Sequence, residues 1–121
     1  MAGLKLEDLP EYAYNDYQLW EGKWELIAGI PYSMGPVPVK KHQKLLGHIF
    51  SEIASHMDDC PDCEVLIDED WKVDTKTVLK PDVSVVCNDD HLSYITKTPD
   101  IIFEVLSPST AKRGVTGMIV S

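Results

Sequence analysis

The clearest pattern in the chain is helical. From Lys41 to Met57 the apolar residues Leu45, Leu46, Ile49, Phe50, Ile53, Ala54 and Met57 recur in steps of one, three and four. That spacing lays one apolar stripe along a helix and predicts an amphipathic α-helix. Asp58-Asp59-Cys60-Pro61-Asp62 ends it. Before it, Trp24–Ile27 and Ile30–Met34 flank Ala28-Gly29, the pattern of a hairpin with a glycine-containing turn, and Gly35-Pro36-Val37-Pro38 closes that unit. Asn15 followed by Gln18 has capping-box spacing, which predicts one or two helical turns over residues 15–20. Residues 1–13 read as a short acidic arm.

After the helix the apolar runs read as strands. Cys63–Val73 is interrupted by Asp68-Glu69-Asp70, and Val78–Cys87 is weakened at its start by Pro81. Ile101–Leu106 is a short continuous apolar run of the kind found in buried strands, and Asn88–Pro99 is a polar loop. A hairpin, a helix and then strands predict an α+β or α/β fold around one mixed sheet, with residues 1–121 forming a single domain.

Composition changes this picture only at the edges. With 44% hydrophobic and 26% charged residues a core can form. Eleven Lys and Arg against 20 Asp and Glu give a net charge of −9, which excludes a basic, sequence-blind DNA coat because phosphate binding runs on cations. A nucleic-acid enzyme is not excluded, since metal-binding carboxylates themselves add negative charge. No secretory signal pattern is read at the N-terminus, and no apolar stretch approaches the roughly 20 residues that span a bilayer, so no membrane partner is expected. Three cysteines argue against a disulfide framework and for a reducing, cytoplasmic setting.

Several side chains are chemically suggestive without being specific. Cys60 and Cys63 have CxxC spacing with His56 four residues upstream, half of a zinc site without a second pair, and two loop thiols are the simpler expectation. His42 lies in register with the apolar stripe, where a half-buried, hydrogen-bonded histidine is favoured over a phosphate contact. Lys40, Lys41 and Lys44 beside it make the densest basic cluster, a candidate DNA-backbone contact or a solvated helix start. Trp20, Trp24 and Trp71 are expected in the core, and Asp68-Glu69-Asp70 as a solvated turn.

Two carboxylates stand out because they interrupt apolar strands. Alternation puts Asp82, Ser84 and Val86 on one face, and Ile102, Glu104 and Leu106 on one face of the next strand. If the strands are neighbours, Asp82 and Glu104 share a hard divalent cation, Mg²⁺ or Mn²⁺; if they end in water, no partner is needed.

The blocks Pro81-Asp82-Val83-Ser84-Val85-Val86-Cys87 and Pro99-Asp100-Ile101-Ile102-Phe103-Glu104-Val105-Leu106-Ser107-Pro108-Ser109-Thr110 resemble the Uma family of restriction-endonuclease-like proteins, within the PD-(D/E)XK nuclease superfamily. Tyr14-Asn15-Asp16-Tyr17, Trp24-Glu25-Leu26-Ile27-Ala28-Gly29 and Lys41-His42-Gln43 fall in the same order, so the resemblance spans residues 12–113. It implies a mixed sheet flanked by helices, Mg²⁺ or Mn²⁺ held by Asp82 and Glu104, and Glu25 as a third acid. It also implies a DNA substrate and a homodimer. The metal would polarise the scissile phosphate and acidify a water. The pattern wants a lysine two residues after the second acid, where this chain has Leu106. An alternative lysine on the following helix corresponds to Met118, with Gly114 where an Asp is expected. Residues 114–121 depart from the family, whose remaining helix and last strand have no counterpart in this sequence. Lys80 and Lys112 are the nearby cations that would substitute. The expectation is a Mg²⁺-dependent DNA endonuclease with impaired catalysis, or else a non-catalytic scaffold with a binding role.

Overall fold

The structure, a computed structural model, describes residues 10–34 and 39–105 and the backbone of 118–120. The elements run α1 (Tyr14–Tyr17), β1 (Trp24–Ile27), β2 (Ile30–Ser33), α2 (Lys40–His56), β3 (Cys63–Ile67), β4 (Trp71–Asp74), β5 (Thr77–Leu79), β6 (Val83–Cys87), β7 (Ile101–Val105) and β8 (Met118–Val120). The cap of helix α1 is Ala13 rather than Asn15, because the Asp16 carboxylate reaches back to accept the Ala13 N–H at 2.9 Å. In the β1–β2 hairpin β1 has the expected bounds and β2 ends at Ser33, one residue before the expected Met34. Ala28 (φ 49°) and Gly29 (φ 81°) both turn through the left-handed region, as a two-residue hairpin loop matched to strand twist requires.

The α+β class holds, but the single mixed sheet resolves into two four-stranded sheets. Their orders are β2-β1-β5-β4 and β3-β6-β7-β8, and every pairing between these strands is antiparallel. Each of the two long apolar runs after the helix is cut in the middle, and its halves go to different sheets. Cys63–Val73 becomes β3 and β4, joined through Asp68-Glu69-Asp70; Val78–Cys87 becomes β5 and β6, joined through Lys80-Pro81-Asp82. Pro81, without an N–H, cannot continue a ladder. Alternation within a run is blind to such a change of sheet.

Each sheet carries its own buried apolar residues. In the first sheet Leu26 and Val78 are fully buried beside buried Tyr17, and Tyr12, Tyr14, Trp20 and Trp24 pack against them. In the second sheet Val83, Val85 and Val86 are buried, and α2 contributes Leu46. The helix stripe is narrower than its sequence suggests, since Leu45 is exposed. Among the described residues no helix is long and apolar enough to cross a membrane.

Two expectations fail. Met118 was placed on a helix following the Ser-Pro-Ser-Thr block, yet it opens strand β8, opposite Val105, with Ile119 opposite Glu104. Leu106, Lys112 and Gly114 lie outside the described residues. The cysteines are not all free thiols. Cys63 and Cys87 face each other across β3 and β6 with Cα atoms 3.9 Å apart and are disulfide-bonded, which removes Cys63 from any CxxC metal site. Cys60 is an exposed thiol. Sequence spacing offered no hint of this pair, because the partners lie 24 residues apart and meet only through strand register. Titration of the denatured, unreduced chain with a maleimide should therefore label one cysteine, Cys60, and reduction should raise the count to three; three labels before reduction would remove the disulfide.

Candidate functional site

The two connections between the sheets run side by side, and the acidic residues gather there. The Asp68 N–H donates to the Asp82 carbonyl at 3.0 Å, carrying the β3–β6 ladder one step past Ile67↔Val83. The β6–β7 register, Val83↔Phe103 and Ser84↔Ile102, extended by the same step sets Asp82 opposite Glu104. Asp82 is 7% exposed, and its Oδ2 accepts the Val105 N–H at 2.7 Å. Glu25 comes from the other sheet, on β1. Its Oε2 accepts the Lys80 N–H at 2.9 Å, which ties it to the connection carrying Asp82.

Glu104 registers all of this. Its carboxyl is pushed up to about 8, first by burial, then by the negative charges of Asp82 and Glu25, and by a hydrogen bond with Asp82; the Lys23 ammonium pulls the other way. The three acids singled out by sequence are thus brought together, two from one sheet and one from the other. His42 joins them from the first turn of α2: its Nε2 is 3.8 Å from Asp82 Oδ2, and its Nδ1 is 3.3 Å from Gln43 Oε1. The expected half-buried histidine is found, with a carboxylate partner the helical pattern did not disclose. Lys41, one residue earlier, is exposed.

The acid-rich link is not a solvated turn. Asp68 binds the Lys23 ammonium and Asp70 the Lys80 ammonium, each at 2.8 Å. The Tyr17 hydroxyl lies 2.7 Å from Asp70 Oδ1 and 3.0 Å from the Trp24 carbonyl, and burial together with Asp70 drives its pKa upward. Asp70 and Lys80 line a cleft of about 310 Å³ with Tyr17, Trp20 and Trp24. Lys23, Asp68 and Asp70 were missed in the sequence. The available signal was parity: Lys23 stands two residues before Glu25 and shares its side of the chain.

A hard divalent cation suits the donor chemistry of Glu25, Asp82 and Glu104, three carboxylates crowded enough to hold a proton among them. They are not closed round one point: among the described residues no group of three or more His, Cys, Asp and Glu side chains is arranged to hold a metal ion. Mutual repulsion explains the arrangement, since uncompensated carboxylates separate or share a proton. The profile of a family described as Uma2, putative restriction endonuclease, matches residues 13–118. No curated protein matches the chain.

The raised pKa of Glu104 makes stability depend on pH in a stated direction. The unfolded carboxyl ionises near 4.5 and the folded one near 8, so the stabilisation is whole below 4.5 and is lost as pH rises toward 8. In chelator, Glu104→Gln should melt progressively higher than the unaltered chain as pH goes from 5 to 8. Parallel melting curves across that range would show that Glu104 ionises normally.

Proposed function

The chain belongs to the Uma2 family, and from that premise we propose that it is a metal-dependent nuclease hydrolysing phosphodiester bonds in DNA, with Asp82, Glu104 and Glu25 as ligands of Mg²⁺ or Mn²⁺. One observation carries the reading: a half-buried glutamate on β7 lies beside Asp82, the one buried charged side chain among the described residues, and Glu25. Unpaired acids are costly inside a protein, so a site that concentrates them is built for a cation.

The residues divide the work. The Val105 N–H fixes Asp82 and the Lys80 N–H fixes Glu25, so both carboxylates are oriented before any ligand arrives. Glu104 would serve as a ligand in its ionised form, so its raised pKa would favour binding toward higher pH. His42, beside Asp82 at the start of α2, and exposed Lys41 are placed to meet a DNA phosphate, where the helix N-terminus favours an anion. A divalent ion at the three carboxylates supplies Lewis acidity toward the scissile phosphate and acidifies the attacking water. The rival reading, a scaffold that binds without cleaving, is favoured by a single observation: Leu106 stands where the family pattern has its lysine.

Mg²⁺ or Mn²⁺ should raise the melting temperature of the unaltered chain by mass action, and Asp82→Ala should abolish that rise. Nicking of supercoiled plasmid with Mg²⁺ should fall by about 100-fold or more in Glu104→Ala, in line with loss of one catalytic group. An equal metal-induced shift in unaltered and Asp82→Ala chains would put the cation elsewhere, and cleavage undiminished in Glu104→Ala would break the assignment.

A further inference from the structure

Two cysteines have CxxC spacing, and the disulfide from Cys63 to Cys87 leaves the other, Cys60, as an exposed thiol away from the acidic site. The chain between Cys60 and Cys63 is a tight turn. The Cys63 N–H donates to the Cys60 carbonyl at 3.0 Å, with Pro61 and Asp62 at the corners, and the Cys60 N–H donates to the Met57 carbonyl at 2.9 Å just past the end of α2. Proline suits the first corner of such a turn, whose end Cα atoms lie within about 7 Å, the separation up to which a disulfide can close. The same turn lies against the far cysteine. The N–H of Asn88, the residue after Cys87, donates to the Asp62 carbonyl at 2.8 Å, so all three cysteines gather at one end of the β3–β6 pair.

We infer that these cysteines form an internal thiol–disulfide relay, in which Cys60 attacks the Cys63–Cys87 bond and moves the crosslink into the Cys60–Cys63 turn. The step needs no outside oxidant or reductant. The Cys60 thiol gives its proton to solvent, and its sulfur forms a bond to Cys63 Sγ. The Cys63–Cys87 bond breaks with its electron pair on Cys87 Sγ, which takes a proton from solvent. Cys60 is exposed, as a thiol that has to ionise requires. Cys63 is the sulfur attacked because the turn already holds it close to Cys60.

The backbone around Cys87 does not depend on the bond that breaks. The Cys87 N–H donates to Asp100 Oδ2 at 3.1 Å, and the Cys87 carbonyl accepts from the Lys97 ammonium at 2.9 Å. With the Asn88 bond, these contacts keep the end of β6 in place while the sulfurs change partners. One crosslink fastens β3 to β6, the strand that follows Asp82; the other fastens β3 to the turn after α2, the helix that carries His42. The relay also trades the exposed thiol of Cys60 for one on half-buried Cys87. It involves neither the metal nor the nuclease reading.

The test uses the full chain, purified at pH 5 and then held folded at higher pH for timed intervals. Samples are quenched in acid, denatured, labelled with a maleimide at pH 5 and mapped by peptic digestion and mass spectrometry. At pH 5 the label falls on Cys60. At pH 8, labelled Cys87 and a Cys60–Cys63 crosslinked peptide should appear together, while the total stays at one labelled thiol per chain. Because the thiolate attacks, their rate of appearance should rise about tenfold from pH 6 to pH 7, and it should not change on dilution. Cys60→Ser should lose the exchange and carry no label, and Cys87→Ser in a glutathione couple should close Cys60–Cys63. Label confined to Cys60 after long incubation at pH 8 overturns the relay. So does a rate that falls on dilution, which means exchange between chains, or a folded Cys87→Ser chain that keeps two thiols. Where Cys87→Ser does not fold, the unaltered chain and Cys60→Ser decide the matter.

Discussion

Two connections pass between the sheets, residues 68–70 and 80–82, and the hydrogen bond from the Asp68 N–H to the Asp82 carbonyl holds them side by side. Each long apolar run would otherwise continue as one strand. Because both runs change sheet at the same level, the end of one sheet is brought against the start of the other. Acidic side chains that would flank solvent at the ends of separate strands instead meet in a half-buried seam. Glu25 reaches it through the Lys80 N–H, Asp82 through the Val105 N–H, and Glu104 through register with Asp82.

That seam carries most of the electrostatic tension in the described structure. Asp68 and Asp70 are neutralised by Lys23 and Lys80, which fasten the link between β3 and β4 to the first hairpin and to the β5–β6 connection. These ion pairs are partly exposed, so each contributes modestly to stability, and their larger effect is to orient the groups they join. Glu25, Asp82 and Glu104 have no such complement among themselves. Burial first, and then this excess negative charge, push the Glu104 carboxyl up to about 8. A cation and a retained proton are alternative answers to the same charge imbalance.

The disulfide between β3 and β6 reinforces the sheet that carries Asp82 at the opposite end of the same strand pair, Cys63↔Cys87 at one end and Ile67↔Val83 at the other.

Local periodicity determined much of this protein. Steps of three and four set α2 to within a residue at each end, and the Ala-Gly turn set the hairpin, because both depend on side chains adjacent along the chain. Parity alone put Asp82 and Glu104 on matching faces, and the motif blocks around them marked the family. Tertiary structure decided the rest. Which sheet a strand joins is not encoded in its alternation, so the splitting of Cys63–Val73 and Val78–Cys87 was invisible, as was the Cys63–Cys87 pair. The ion pairs of Asp68 and Asp70 followed from that split, since their lysine partners lie 45 and 10 residues away. Charges act through space, and only the folded chain fixes which lysine stands beside which acid.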